Sequence, residues 1–142
     1  MKYDDASWHY GGDFPSELEN DAGATHIGMF VACFLLNDLA GEIHSEEFPE
    51  ALEQLKKHQK TPGQWFIENC DEKFTDEDLS EEGNKFASFY YASENAPYLD
   101  DYEEAIGTEL ESLYFAPDSW ELYERLELLF MKRLKTWKNK NG

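Results

Sequence analysis

Along most of this chain, apolar residues recur every three or four positions, the spacing of helices that bury one face. Residues 24–40 put Ile27, Phe30, Val31, Phe34 and Leu35 on one helical face, with Met29, Cys33 and Leu36 beside it. A helix apolar almost all round belongs at the centre of a fold, and Gly41 is placed to end it. Residues 46–60 space Phe48, Ala51, Leu52 and Leu55 as an amphipathic helix. TPGQWFIENC then sets Thr61 as N-cap and Pro62 at the first helical position of a short helix burying Trp65 and Phe66. TDED, from Thr75 to Asp78, has the form of a capping box with Asp in place of Glu, opening a helix through Leu79, Phe86, Phe89 and Tyr90. Pro97 begins another, with Tyr98, Tyr102 and Ile106 at every fourth residue and Asp100, Asp101, Glu103 and Glu104 on its other face. DSWE, from Asp118 to Glu121, caps a last long helix ending near Trp137, with the stripe Leu122, Leu126, Leu129, Phe130, Leu134 and Trp137.

The opening, MKYDDASWHYGGDFP, breaks this periodicity. Trp8, Tyr10 and Phe14 alternate, so in an extended segment they share one side while His9 and Asp13 take the other. Gly11-Gly12 suits a tight turn, and Pro15 keeps Phe14 extended. The segment reads as a strap pinned over the core by its aromatics. It could also form the lip of a pocket, with Trp8, His9, Tyr10 and Asp13 presenting polar tips near His26.

Composition narrows the class. One Val and four Ile leave little for a large sheet. The expectation is an all-α fold, a single compact bundle of about six helices with an extended aromatic N-terminal strap. One domain covers 1–142: strap 1–20, helical core 21–138, disordered tail 139–142. Four Trp, eight Tyr and ten Phe supply the buriable area that the sparse aliphatics do not. Cys33 and Cys70 sit in apolar helical stretches and read as free thiols of a reducing compartment. With no signal peptide in view, this suggests the cytoplasm. The longest apolar run, Ile27 to Leu36, is too short for a bilayer span of about 20 residues.

Charge is the strongest compositional signal. The net charge is −19. Residues 71–127 hold eighteen Asp and Glu against Lys73, Lys85 and Arg125, a net of −15. Such a surface repels nucleic acid and anionic membranes and attracts a basic protein. The C-terminal Lys132, Arg133, Lys135, Lys138 and Lys140 have a simpler explanation, since cations suit a helix C-terminus.

Candidate chemistry is sparse. No GxSxG, P-loop, GxGxxG, HExxH or CxxC is present, so no catalytic residue, metal ligand or cofactor is assigned. The run CDEKFTDEDLSEE fails the calcium-loop template whether counted from Asp71 or from Asp76. Counting from Asp76 puts Glu81 where Gly is needed and Ala87 where the last Glu belongs. His26, seven residues before Cys33, reads as a satisfied core histidine.

Four segments, YDDASWHYGGDFP, AGATHIGMFVA (Ala22 to Ala32), TPGQWF and KFTDEDLSEEGNKFASFYY (Lys73 to Tyr91), resemble a family of small, acidic bacterial proteins classed as a domain of unknown function. The likeness extends to SLYFAPDSWELYERL. It implies a bacterial source and a standalone cytosolic domain, and carries no activity to transfer.

Size, acidity and the lack of catalytic motifs then point to a non-enzymatic protein-binding domain. The expectation is an immunity or antitoxin protein that neutralises a basic toxin, such as a nuclease, by charge complementarity. Its contact residues are expected among Asp76, Asp78, Glu81, Glu82, Tyr98, Asp100, Asp101, Tyr102, Glu103 and Glu104. The alternatives are a small ligand-binding or enzymatic domain with its site at Trp8, His9, Tyr10, Asp13 and His26, or a housekeeping interaction domain. Oligomeric state is not legible in the sequence.

Overall fold

The computed structural model describes residues 2–11, 14–94, 96–107 and 113–141. The chain is mostly helical. Strand β1 (Lys2–Asp5) leads into the short helix α1 (Ala6–Tyr10), then α2 (Ala22–Leu35), a π-helical turn (Ile43–Glu47), α3 (Pro49–Lys56) and α4 (Pro62–Cys70). Strand β2 (Lys73–Thr75), a 3-10 turn (Asp76–Asp78), α5 (Glu81–Tyr90), α6 (Pro97–Ile106), a second 3-10 turn (Leu113–Phe115) and α7 (Trp120–Asn141) complete it.

Helix α2 is central, buried continuously from Gly23 to Leu35. It packs chiefly on α4, and also on α1 and α7. The α2–α4 crossing is tight because both helices bring glycine to it. A Cβ on Gly28 would lie 2.6 Å from the Pro62 carbonyl oxygen and 2.8 Å from the Gly63 Cα. Aromatic rings fill the other side. Phe34 meets Phe130 edge-on with centroids 5.0 Å apart, and Phe86 stacks on Tyr90 at 5.0 Å. This geometry suits aromatic quadrupoles and compensates for few aliphatic side chains.

Several elements differ from the sequence expectation, each for a local reason. The central helix spans 22–35 rather than 24–40, because Leu36 turns out of it and Asp38 takes a left-handed φ of 66°. The helix expected over 46–60 is divided. A π turn precedes Phe48, which is left 59% exposed, and α3 stops at Lys56 just before His58 at φ 58°. Thr61 and Pro62 open α4 as expected. The Thr75–Asp78 capping box is present, but it closes a 3-10 turn. Helix α5 is opened instead by Ser80, whose side chain accepts the Gly83 N–H.

Asp118 does not cap α7. Its carboxylate reaches across to α4, accepting from Gly63 N at 2.9 Å, Gln64 N at 3.2 Å and Thr61 Oγ1 at 2.5 Å. Ser119 serves α7, its Oγ accepting from Leu122 N at 3.2 Å. That helix continues through Asn141, so residues 139–141 of the expected tail are helical.

The largest difference is at the N-terminus. Residues 2–5 are a strand and residues 6–10 a helix, so the alternation of Trp8 and Tyr10 about an extended axis does not occur. Trp8 is 56% exposed, and His9 turns inward. Strand β1 pairs antiparallel with β2, with Lys2 opposite Thr75, Asp4 opposite Phe74 and Asp5 opposite Lys73; an irregularity falls between Lys2 and Asp4. This two-stranded ribbon holds the N-terminal segment against the core. Asp13 and Gly12 lie outside the described residues.

Candidate functional site

The ribbon determines where the first chemistry-bearing residue lies. Strand pairing buries Asp4 at 4% exposure. The side chain of Asp5 caps α1 by accepting from Ser7 N at 2.9 Å, and this first turn carries His9 back over Asp4. His9 Nε2 lies 2.8 Å from Asp4 Oδ1, which also accepts the Asp5 N–H at 2.8 Å. Asp4 Oδ2 accepts the Tyr91 hydroxyl at 2.5 Å. His9 Nδ1 is 2.7 Å from the Tyr114 hydroxyl. With His9 Nε2–H donating to the carboxylate, Tyr114 O–H donates to Nδ1, a tautomer assigned from the hydrogen-bond partners.

His26 enters from the second turn of α2. It is 2% exposed, and its ring meets that of His9 edge-on at 4.4 Å. Its Nε2 stands 3.8 Å from Asp4 Oδ2, beyond hydrogen-bond reach. Its Nδ1 has no hydrogen-bond partner among the described residues, and neither has the buried Tyr102 hydroxyl, whose ring centroid is 6.0 Å from that of His26. The expected satisfied core histidine is therefore not what the structure holds. Burial, with His9 adding to it and Asp4 opposing, pushes the His26 pKa down to about 3. Burial pushes the Asp4 carboxyl up, but hydrogen bonds from His9 and Tyr91 and the nearness of both imidazoles outweigh it and leave the pKa below the usual range. Burial, with Asp4 nearby, raises the Tyr98 phenol to about 12. The centre is thus a buried carboxylate, two imidazoles and a rim of protonated phenols.

Of the pocket residues read from sequence, the structure brings His9 and His26 together and leaves Trp8 outside, beneath Lys2 Nζ at 5.3 Å from its ring. Tyr10 is half-buried and packed against the core. Sequence reasoning misses Asp4, Tyr91 and Tyr114. An Asp-Asp pair reads as solvated surface, and only the strand pairing buries it.

The residues expected to meet a partner divide in two. Asp78 is buried, accepting from His44 Nε2 at 2.8 Å and, through its other oxygen, from Thr75 N at 2.9 Å. The Cys70 thiol points at the same Asp78 oxygen from 3.8 Å, and burial followed by the Asp78 charge keeps its pKa well above the ordinary thiol value. Asp101 is also buried, accepting from Tyr90 at 2.8 Å and from the Arg133 fork at 3.1 to 3.2 Å. Tyr102 is fully buried. These three are internal structure rather than contact surface. Glu81, Glu82, Asp100, Glu103 and Glu104 are exposed; Asp76 and Tyr98 are half-buried.

A family model described as Domain of unknown function (DUF7832) matches residues 2–116. The chain belongs to that family. No curated protein and no solved structure matches it. The DUF7832 span contains Asp4, His9, His26, Tyr91, Tyr98, Tyr102 and Tyr114, and so the whole of the buried centre. No helix among the described residues is long and apolar enough to cross a membrane.

Proposed function

We propose that this DUF7832 chain is a protein-binding domain of the immunity type, which neutralises a basic partner through the outer face of α6. One observation carries the reading. Asp100, Glu103 and Glu104 are exposed on that face, and among the described residues none of the three is held in an ion pair. The acids of α5 are weaker candidates, because Glu81 lies 3.6 Å from Lys85 and Glu82 lies 3.2 Å from Lys138. Beside the free carboxylates a shallow cleft of about 380 Å³ opens between Tyr91, Ser93, Glu94, Ala96, Tyr98 and Leu99. Leu99 is exposed and offers an apolar anchor at the edge of the charge. A lysine or arginine side chain suits this combination, its stem on the apolar wall and its head among carboxylates. Nuclease toxins are basic because they grip phosphate, and an acidic domain can cover the same groove. The reading has the two proteins meeting in the cytoplasm.

The test uses the tagged full chain and a D100K/E103K/E104K variant. The unaltered chain is expected to capture a basic protein from source cells at low salt and release it at high salt. The association rate of that purified protein should fall about tenfold or more in the variant and lose most of its salt dependence. An association rate unchanged by the three reversals would remove α6 from the interface.

A further inference from the structure

We propose that Asp4, His9 and His26 form a binding site for one divalent transition-metal ion of the zinc class. Each offers a ligand atom, and these atoms all lie within 4.8 Å of one another. Two imidazoles and a carboxylate are a donor set that zinc and its neighbours in the first transition row accept. The spacing fits as well. Ligands about 2.1 Å from a tetrahedral ion stand about 3.4 Å apart. Here His9 Nε2 is 2.8 Å and His26 Nε2 is 3.8 Å from the two oxygens of Asp4, one slightly inside that separation and one slightly outside it.

The surroundings point the same way. A ligand histidine ordinarily has its other ring nitrogen held by an oxygen, and His9 Nδ1 faces the Tyr114 hydroxyl at 2.7 Å. A ligand carboxylate is ordinarily held too, and Asp4 receives Tyr91 O–H and Asp5 N–H. With an ion on Nε2, the His9 proton moves to Nδ1 and is donated to Tyr114. His26 supplies the second, independent observation. It is 2% exposed, and its Nε2 faces Asp4 Oδ2 from 3.8 Å, beyond hydrogen-bond reach, while Nδ1 lies on the far side of the ring and takes no part. A buried imidazole nitrogen that faces a carboxylate without bonding to it leaves a gap that an ion on both would bridge. The His9 side chain, 19% exposed, gives the ion a way in.

A second trio, His44, Cys70 and Asp78, meets the same distance limit. Its geometry is already accounted for. His44 and Cys70 both point at Asp78 Oδ1, and Asp78 Oδ2 closes the capping box on Thr75 N. There every facing group already meets one oxygen at its own contact distance, whereas at Asp4 the His26 Nε2 faces a carboxylate it does not bond and an ion displaces a single His9 hydrogen bond.

The experiment loads the chelator-treated full chain with Co²⁺ or Zn²⁺ alone. One equivalent is expected to bind, and X-ray absorption on the zinc-loaded chain should show two imidazoles with nitrogen and oxygen scatterers only. His9→Gln should weaken binding tenfold or more while the circular dichroism of the fold is kept, and Cys70→Ser should leave binding unchanged. Absence of stoichiometric binding would overturn the proposal. So would a sulfur scatterer at about 2.3 Å, or loss of the ion in Cys70→Ser but not in His9→Gln. The absorption measurement needs no variant, so the proposal can fail even if His9→Gln does not fold.

Discussion

His26 is a residue whose ionisation the fold opposes by burying it. In the unfolded chain it takes up a proton near pH 6.5, and in the folded chain only near 3, because burial disfavours the imidazolium. Between those values the unfolded state holds more protons, so stability falls as the pH falls, and above about 6.5 this contribution no longer changes with pH. From pH 7 to pH 5 the loss attributable to His26 should be on the order of 2 kcal/mol. Urea unfolding with a chelator present should show that loss in the unaltered chain and less of it in His26→Gln. Equal slopes in the two chains would mean that His26 is hydrated or paired in solution. Asp101 shows the opposite treatment of a buried charge. It is a carboxylate kept ionised by a guanidinium fork and a phenol, at a place where the sequence suggests one of four equivalent surface acids.

Among the elements, the contact between α2 and α4 leaves the least room. Gly28→Ala would set a methyl against the Pro62 carbonyl and the Gly63 backbone, neither of which can rotate away. The variant should lose about 1–3 kcal/mol or more, read as a lower urea midpoint with an unchanged slope. A neutral result would mean that the helices can separate without cost. Most helices are legible in the sequence, because a helix is a local object signalled by its own caps and stripe. The starts of α4 and α6 at Pro62 and Pro97 fall where expected, and so does the Leu122 to Trp137 stripe. What is not legible depends on distant chain. Lys2 to Asp5 and Lys73 to Thr75 are too short and polar to read as strands alone, yet each makes the other one. Asp4, His9, His26 and Tyr114 share no periodicity, so their meeting cannot be seen before the ribbon is formed. Phe48 has the right spacing for a core position and is exposed, since it stands ahead of α3 with φ −130° and ψ 56° and so does not share the helix's phase.

At the scale of the whole molecule, −19 of net charge must be held on one compact surface. Several exposed carboxylates are offset by surface pairs, as at Arg125–Glu121, Lys138–Glu82 and Lys60–Glu68. Such pairs contribute little each, and the remaining acids repel one another. Added salt screens that repulsion over a distance of about 10 Å at 0.1 M. The melting temperature should therefore rise as NaCl is raised from 10 to about 300 mM. A fall over that range would mean that the ion pairs outweigh the like-charge repulsion.

Asp118 and Ser119 are neighbours in sequence but serve different helices, one beginning some 55 residues earlier and the other immediately after. The two helix starts are therefore fastened by a single peptide unit. During synthesis, α4 leaves the ribosome with Thr61 Oγ1 on its Gln64 amide but its Gly63 amide still open, and the carboxylate that closes it arrives only when the chain has reached residue 118. The early half of the domain thus waits for the late half, and a nascent chain halted before that point would carry an α4 held by Thr61 alone, with one first-turn amide unanswered.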